Sequence, residues 1–309
     1  MKPAKLCPDQ KAQGSVPFNK ISKIFSNEAA AQEEYEIQRK VVSMIDPNGE
    51  FTVRMFARCD DSYGDFVSKE LAKCRNNGSS MFKDGQSHPL PSIVYEDGGV
   101  DLGRVIEGKV QSPPSFEALF WSMRYLFNGL VKLGDKGFVH LDIKPENLVY
   151  GSAGSGKVAL IDFGLCTTMN AVYDASHGYV HQHLYAYYPP EFSLLSKQPV
   201  WRNVEQLMKA CRITTWKKPE QVSLALCPDK IDVYSLGATL MILYHRVKRR
   251  AEYPEVLKLM AGMTEVDPKA RWSAADARKH YLQILKQGFP TDCPPQKKMN
   301  AKQRCEQVK

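Results

Sequence analysis

Apolar and polar residues alternate in two short stretches of the first hundred positions, and a third stretch is an apolar run that enters a glycine-rich connector. These patterns predict β-strands. The stretches are ISKIF (21–25), FTVRMF (51–56) and PSIVYEDGG (91–99). Between the first two, Ile37, Val41 and Ile45 recur every four residues, which predicts an amphipathic helix that Ser26 or Asn27 would cap. The first part of the chain is therefore expected to be strand-rich, with one helix.

Helical patterns dominate after about residue 112. They cover SFEALFWSMRYLFNGLVKLG (115–134) and residues 203–211, 231–244, 253–261 and 273–285, with short apolar strands GFVHLDI, NLVYG and KVALIDF among them. The overall prediction is an α+β protein with three segments. They are a strand-rich part with one helix (18–97), a mainly helical part (98–285) and a basic tail expected to be disordered (286–309).

Composition narrows the class of protein only slightly. The 309 residues carry a net charge of +8, which suits anionic partners without choosing among them. The eight cysteines are scattered and form no C-x-x-C pair, so we expect free thiols in a reducing compartment and no zinc ribbon. The first residues lack an apolar signal segment, and no apolar run reaches the ~20 residues that span a bilayer. We therefore expect a cytoplasmic location, with no membrane partner and no clear nucleic-acid site.

The stretch GSAGSGK (151–157) has most of a nucleotide-binding phosphate loop. Such a loop continues into Ser or Thr and opens a helix, because the hydroxyl binds magnesium. Here Lys157 is followed by Val158 and an apolar strand pattern. The sequence therefore predicts a hairpin turn at this point instead of a phosphate site.

Side chains suited to phosphoryl transfer flank this hairpin on both sides. The flanking segments are FVHLDIKPENLVY (138–150) and LIDFGL (160–165). Phosphoryl transfer needs a group that orients the attacking hydroxyl, oxygen ligands for Mg²⁺ and a cation near the moving phosphoryl group. Asp142, the pair Asn147 and Asp162, and Lys144 are the candidates for these roles, in that order.

These residues resemble the catalytic motifs of the eukaryotic-type protein kinases. The catalytic-loop pattern H-x-D-x-K-x-x-N is met by His140, Asp142, Lys144 and Asn147, and the metal-binding D-F-G by residues 162–164. The resemblance implies a bilobal kinase-like fold in which residues 18–97 are the small lobe. It also implies ATP and Mg²⁺ as substrate and cofactor.

Later motifs fit the same family. YYPPEF (187–192) resembles the end of the activation segment, with Glu191 in the A-P-E position. DVYSLG (232–237) resembles the start of the buried central helix, where Asp232 would brace the catalytic loop. DPKAR (267–271) places Arg271 where the family pairs an arginine with the activation-segment glutamate. The spacing of IFSNEAAAQEEY and IDPNGEF is also similar to that of kinase-like proteins of large DNA viruses, for which the host cytoplasm would be the location.

The resemblance implies a lysine–glutamate pair in the small lobe that contacts the ATP phosphates. Lys23 has the required apolar neighbours, and Glu33, Glu34 and Glu36 are its possible partners. Glu34 suits the helix pattern best, although it puts polar Gln38 at a position where the family prefers an apolar side chain.

The stretch IVYEDGGVDL (93–102) resembles the hinge between the kinase lobes. Tyr95 would border the back of the nucleotide pocket, and Glu96 and Asp97 would meet adenine through their backbone groups. These roles are implied by the resemblance alone.

Three departures from the family stand out. The glycine-rich loop over the ATP phosphates is absent as a motif, since Gly14 is the only glycine before Lys23. Either the chain lost that loop or its start lies upstream of Met1. Leu141 replaces the arginine with which the family binds a phosphate on the activation segment, so we do not expect control by such a phosphate. The segment between the predicted central helix and DPKAR is short, so one helix of the large lobe is expected to be missing.

The sequence thus predicts a protein serine/threonine kinase, because Lys144 is typical of kinases that act on Ser and Thr. The alternative is a pseudokinase or nucleotide-binding scaffold with weak or no catalysis, as the absent glycine-rich loop would suggest. A kinase of small molecules is a third possibility. Family precedent and the PPEF segment, which resembles a docking segment of protein kinases, argue against it.

Overall fold

The computed structural model describes six stretches of the chain, which belong to two compact units, Met1–Gly98 and Gly99–Lys309. The described stretches are residues 20–25, 27–59, 91–151, 156–173, 187–190 and 227–290.

Three antiparallel strands form the sheet of the N-terminal unit. They are β1 (Lys20–Ile24), β2 (Met55–Cys59) and β3 (Ser92–Glu96), and β3 lies between the other two. The middle strand is the most buried of the three, and its Ile93 and Val94 are fully buried. The strands expected at 21–25 and 91–99 are therefore present.

The strand expected at 51–56 begins only at Met55, because an aspartate holds the preceding residues in a turn. Asp46 accepts hydrogen bonds from the backbone N–H groups of Glu50, Phe51 and Thr52, at 2.7–3.0 Å. Backbone donors that are bound to a side chain do not pair with a neighbouring strand.

The predicted helix follows β1 and changes its pitch midway. It consists of α1 (Glu28–Ile37), a π-helical turn (Gln38–Val42) and α2 (Ser43–Ile45). Asn27 is its N-cap, since its side chain accepts a 2.9 Å hydrogen bond from the Ala30 N–H. Ser26, the other candidate cap, lies outside the described residues.

α-Helices make up about half of the described C-terminal unit. They are α3 (Leu102–Ile106), α4 (Phe116–Ser122), α5 (Arg124–Asp135), α6 (Met169–Tyr173), α7 (Ile231–Arg246), α8 (Pro254–Met263) and α9 (Ala274–Lys286). The helix expected at 115–134 is interrupted at Met123, where φ is −81° and ψ is −1°. Between α7 and Asp267 the fully described chain holds one helix, α8. The helix expected at 203–211 lies outside the described residues.

Two small sheets carry the loops around the catalytic-loop and D-F-G segments of the C-terminal unit. One consists of β4 (Gly99–Asp101), β6 (Leu148–Gly151) and β7 (Val158–Leu160), with β6 in the middle. The other pairs β5 (Phe138–Val139) with β8 (Thr167–Thr168). Because β6 and β7 are antiparallel neighbours, the predicted hairpin is confirmed.

The cysteines and the helix lengths complete the description. Cys166 and Cys227 are free, but Cys59 is disulfide-bonded, so the prediction that the thiols are free is wrong for that residue. No helix within the described stretches is both long and apolar enough to cross a bilayer. The cytoplasmic location stays a prediction.

Candidate active site

Asp142 is the centre of a hydrogen-bonded cluster in the C-terminal unit. The Lys144 ammonium lies 2.8 Å from each of its carboxylate oxygens. The Asn147 side-chain N–H donates to Asp142 Oδ2 at 2.7 Å and to its backbone oxygen at 2.9 Å. The Tyr188 hydroxyl donates to Oδ1 at 3.1 Å. Asp142 is 7% exposed, so the carboxylate charge is neutralised mainly by these donors.

The short turn from Pro145 to Asn147 explains how three catalytic-loop side chains converge. It is a 3₁₀ turn that begins at Pro145, a residue whose fixed φ favours the first helical position. The Asn147 N–H donates to the Lys144 carbonyl at 3.0 Å, which closes the turn. The side chains of Lys144 and Asn147 therefore both reach back to Asp142.

Asp232, at the start of α7, binds the backbone of the catalytic loop. Its carboxylate accepts hydrogen bonds from the backbone N–H groups of His140, at 2.6 Å, and Leu141, at 3.0 Å. Burial raises the pKa of Asp232 to about 6, while the two N–H donors act in the opposite direction. The expected bracing contact is confirmed.

Leu141 adopts a backbone conformation that leucine rarely takes. Its φ is +64°, in the left-handed region, which costs roughly 1–2 kcal/mol for a residue with a Cβ. Its side chain is buried in an apolar cluster with Val139, Tyr188 and Ile231. Apolar packing and the Asp232 bond together hold this strained residue in the position where the family has an arginine.

His140 is buried beside Phe163. Their rings meet edge to face, with centroids 4.7 Å apart, and both side chains are fully buried. Burial lowers the pKa of His140 to about 4, so the imidazole is neutral at physiological pH. Its Nδ1 accepts a 3.3 Å hydrogen bond from the Asp142 N–H, which further ties the loop together.

Asp162 leaves β7 in the left-handed conformation, with φ of +64°, and precedes a 3₁₀ turn over residues 163–165. Aspartate tolerates this region better than most residues. The neighbouring Ile161 N–H donates to the Asn147 carbonyl at 3.0 Å. The hairpin and this bond bring the Asn147 and Asp162 segments side by side.

The residues present suit a magnesium ion by their chemistry. Mg²⁺ prefers oxygen ligands, is typically bound by one or two carboxylates, and takes its other ligands from substrate phosphates and water. Asn147 and Asp162 provide an amide oxygen and a carboxylate. The described stretches contain no group of three or more His, Cys, Asp or Glu placed to hold a metal by themselves.

The N-terminal unit contains the lysine–glutamate pair, and the partner is Glu34. Lys23 Nζ lies 2.6 Å from Glu34 Oε2. The Tyr95 hydroxyl donates to the other oxygen, Oε1, at 2.8 Å. Glu34 is buried, whereas Glu33 is exposed and Glu36 lies 3.3 Å from Lys40.

Gln38 lies one helical turn after Glu34 and is a polar side chain in a buried position. It is 4% exposed, and its side-chain oxygen has no hydrogen-bond partner. It also begins the π-helical turn, a local widening that is frequent at functional sites. The sequence singled out this position as polar where an apolar residue was expected.

Other residues named from the sequence fall in three places. Glu96 ends β3, and its N–H donates to the Arg54 carbonyl at 2.8 Å, while Asp97 follows it, half-buried. Arg271 is buried and donates to the carbonyls of Glu265 and Lys230. Its expected partner, Glu191, lies outside the described residues.

The phosphate-loop resemblance at 151–157 is not supported by the fold. Val158 begins β7, so no helix opens after Lys157. Gly151 and Gly156 have φ of +86° and +54°, as glycines in a hairpin connection often do. Residues 152–155 lie outside the described part of the chain.

Two tyrosine hydroxyls that donate to carboxylates were not predicted from the sequence. Tyr188 lies 46 positions after Asp142, and Tyr95 lies 61 after Glu34. Neither spacing corresponds to a local pattern. Tyr95 was expected only to border a pocket, and Tyr188 was part of a motif without a role of its own.

The known proteins to which this chain is similar are protein kinases, in agreement with the residues of the site. The family model described as the protein kinase domain matches residues 98–251. Serine/threonine-protein kinase STN7, chloroplastic, of Arabidopsis thaliana is 24% identical over 253 residues, covering 74% of this chain and 42% of the relative. A probable protein kinase of Dictyostelium discoideum is 41% identical over 104 residues, covering 33% of this chain and 23% of the relative.

A third relative is mitogen-activated protein kinase kinase kinase 8 of Rattus norvegicus, at 28% identity over 207 residues, with 58% of this chain and 37% of the relative covered. The chain thus spans less than half the length of these relatives. The expected α+β class is confirmed, with a strand-rich N-terminal unit and a helical C-terminal unit. From its catalytic-loop and D-F-G segments and from these similarities, the chain belongs to the eukaryotic-type protein kinase family.

Proposed function

We propose that this protein is a serine/threonine kinase that transfers the γ-phosphoryl group of ATP to hydroxyl groups of protein substrates. The observation that carries the proposal is the Asp142 cluster. There a buried carboxylate is shared by Lys144 and Asn147, and Asp232 fixes the loop from which it projects. Acceleration in such a site comes from positioning and electrostatics.

Asp142 would bind the attacking hydroxyl and accept its proton. The hydroxyl oxygen forms a bond to the γ-phosphorus while the bond from that phosphorus to the ADP oxygen breaks, and the proton passes to the Asp142 carboxylate. Lys144, 2.8 Å from Asp142, would neutralise charge on the transferring phosphoryl group. Both roles follow the general requirements of phosphoryl transfer.

Asn147 and Asp162 would hold Mg²⁺ through their side-chain oxygens. The bound ion supplies charge neutralisation at the phosphate groups. The left-handed turn at Asp162 and the bond from Ile161 to Asn147 support this assignment, because they place the two segments next to each other.

In the N-terminal unit, Lys23 would contact the α and β phosphates of ATP, and Glu34 would orient it. The 2.6 Å contact between these side chains supports this assignment. Glu96 and Asp97 would meet adenine through backbone groups, as the family resemblance implies.

The choice of Ser and Thr over Tyr as acceptor rests on Lys144 and on the Arabidopsis thaliana relative, which is named a serine/threonine-protein kinase. The pseudokinase alternative keeps one argument, the absence of a glycine-rich motif before Lys23. A direct assay for transfer separates the two.

Asp162→Asn tests the proposal at its metal site. The purified protein is incubated with γ-labelled ATP, Mg²⁺ and a basic protein substrate, followed by phosphoamino-acid analysis. Wild type should label Ser and Thr, and the variant should retain below about 1% of that rate. Asparagine tolerates the left-handed backbone, so the fold should persist.

Asp229→Asn, a change at an exposed aspartate, is the matched control and should keep full activity. Absence of label in the wild type with nucleotide still bound would favour the pseudokinase. Equal labelling by wild type and Asp162→Asn would remove Asp162 from the mechanism.

A further inference from the structure

The Asp142 carboxylate has its hydrogen-bonding capacity filled within the protein. Lys144 contacts both oxygens, Tyr188 shares Oδ1, and Asn147 shares Oδ2, so each oxygen accepts two bonds. A carboxylate offers about four lone-pair sites. A substrate hydroxyl can therefore bind Asp142 only when one of these donors turns away.

The three donors differ in what else the reaction requires of them. In the proposed function Lys144 would move to the transferring phosphoryl group, and the Asn147 amide that donates to Asp142 through its nitrogen would also hold the metal ion through its oxygen. The reaction requires no other contact from the Tyr188 hydroxyl, and packing holds the Tyr188 ring in one position. It is 2% exposed and packs with Val139, Leu141 and Ile231.

We propose that the Tyr188 hydroxyl is a positioning group that keeps Oδ1 of Asp142 fixed while Oδ2 is released to the substrate hydroxyl. This inference rests on the proposed kinase function. It assigns a specific role to a residue near the end of the activation segment, because the same cluster that buries the tyrosine ring also holds the strained Leu141 beside Asp142.

The charge on Asp142 makes this contact stronger than an ordinary tyrosine bond. A hydrogen bond from a neutral donor to a carboxylate is roughly twice as strong as one between neutral groups. Losing it should change the orientation of the carboxylate that meets the attacking hydroxyl. It should leave the contacts to the nucleotide phosphates as they are. We therefore expect the turnover rate to fall and the affinity for ATP to stay the same.

The test is Tyr188→Phe, which keeps the ring in the apolar cluster and removes only the hydroxyl. We expect kcat, expressed per nucleotide-binding molecule, to fall roughly ten- to a hundredfold, with KM for ATP within about twofold of wild type. Tyr281→Phe is the matched control, because Tyr281 is fully buried and its hydroxyl donates to the Phe120 carbonyl at 2.7 Å. It should keep the wild-type kcat.

Unfolding midpoints separate a catalytic effect from lost stability. Tyr188→Phe and Tyr281→Phe each lose a buried hydroxyl and its hydrogen bonding, so a fall in kcat that is confined to the first supports the inference. An active wild type with an unchanged Tyr188→Phe kcat would overturn it while leaving the kinase function intact, and so would equal falls in both variants. An inactive wild type would overturn the kinase function itself, and the positioning role with it.

Discussion

Both units of this chain bring a lysine and a tyrosine hydroxyl to one carboxylate, but they hold that carboxylate differently. In the N-terminal unit Lys23 and Tyr95 bind Glu34 across three separate elements. One turn later the helix widens around Gln38, whose buried side-chain oxygen has no partner. The N-terminal group therefore depends on long-range contacts and includes a buried polar atom that costs stability.

In the C-terminal unit the corresponding group is built mainly from neighbours in sequence. Lys144 and Asn147 lie within five positions of Asp142 and bind it directly. Asp232 adds two bonds to the backbone of the same loop. The comparison teaches that one unit carries its chemistry mainly in a local loop, and the other in a non-local arrangement. A buried polar atom without a hydrogen-bond partner occurs in each, His140 Nε2 in the loop and the Gln38 side-chain oxygen beside Glu34.

Removing the Lys23 charge from the N-terminal group should have a larger effect on the protein than removing the Asp232 charge from the C-terminal one. In Lys23→Met the apolar stem stays, but the ammonium is lost and Glu34 is left buried without its cation. We expect kcat/KM for ATP to fall by about ten- to a hundredfold, through the loss of a charge-assisted contact to phosphate. Steady-state kinetics over a range of ATP concentrations measures this.

Lys157→Met is the control for that experiment. It removes the same charge from the hairpin that only resembles a phosphate loop, and it should leave kcat/KM for ATP within about twofold. If Lys157→Met lost nucleotide affinity while Lys23→Met did not, the assignment of the two lysines would have to be reversed.

A smaller effect should appear in the pH dependence of stability, because two buried groups of the catalytic loop titrate in opposite directions. The folded-state pKa of Asp232 is about 6, so the folded chain keeps a proton between about pH 4 and 6 that the unfolded chain has lost. Raising the pH across this range therefore removes stability. His140, with a folded-state pKa of about 4, has the opposite effect.

Asp232→Asn isolates the first of these effects. The difference in the free energy of unfolding, wild type minus variant, should decrease by up to about 3 kcal/mol as the pH rises from about 4 to 6. Urea unfolding at several pH values, in the same buffer and salt, measures that difference. A constant or growing difference over this range would show that the Asp232 carboxyl is ionised throughout in the folded protein.

The sequence predicted the C-terminal site better than the N-terminal one for a physical reason. His140, Asp142, Lys144 and Asn147 act through a short turn, so their spacing carries the geometry. The family model likewise begins only at residue 98. The β6–β7 hairpin followed from the glycines and the β-branched residues on its two sides, and the role of Asp232 followed from the resemblance of DVYSLG to the start of the family's central helix.

Features that depend on packing across the fold were beyond the sequence. The strand predicted at 51–56 was displaced by the Asp46 side chain, which no alternation of apolar residues indicates. The interruption at Met123 divides a helix whose apolar pattern is continuous. Tyr188 reached Asp142 through a cluster whose members lie far apart in the chain.

The most direct test of the central claim is single-turnover transfer by Asp142→Asn, with ATP binding measured on the same sample. Asparagine keeps the size of the side chain but carries no negative charge and cannot accept the hydroxyl proton. We expect ATP affinity within about threefold of wild type and a transfer rate at least about a hundredfold lower. Transfer at the wild-type rate by Asp142→Asn would contradict the claim that this carboxylate is the base of a protein kinase.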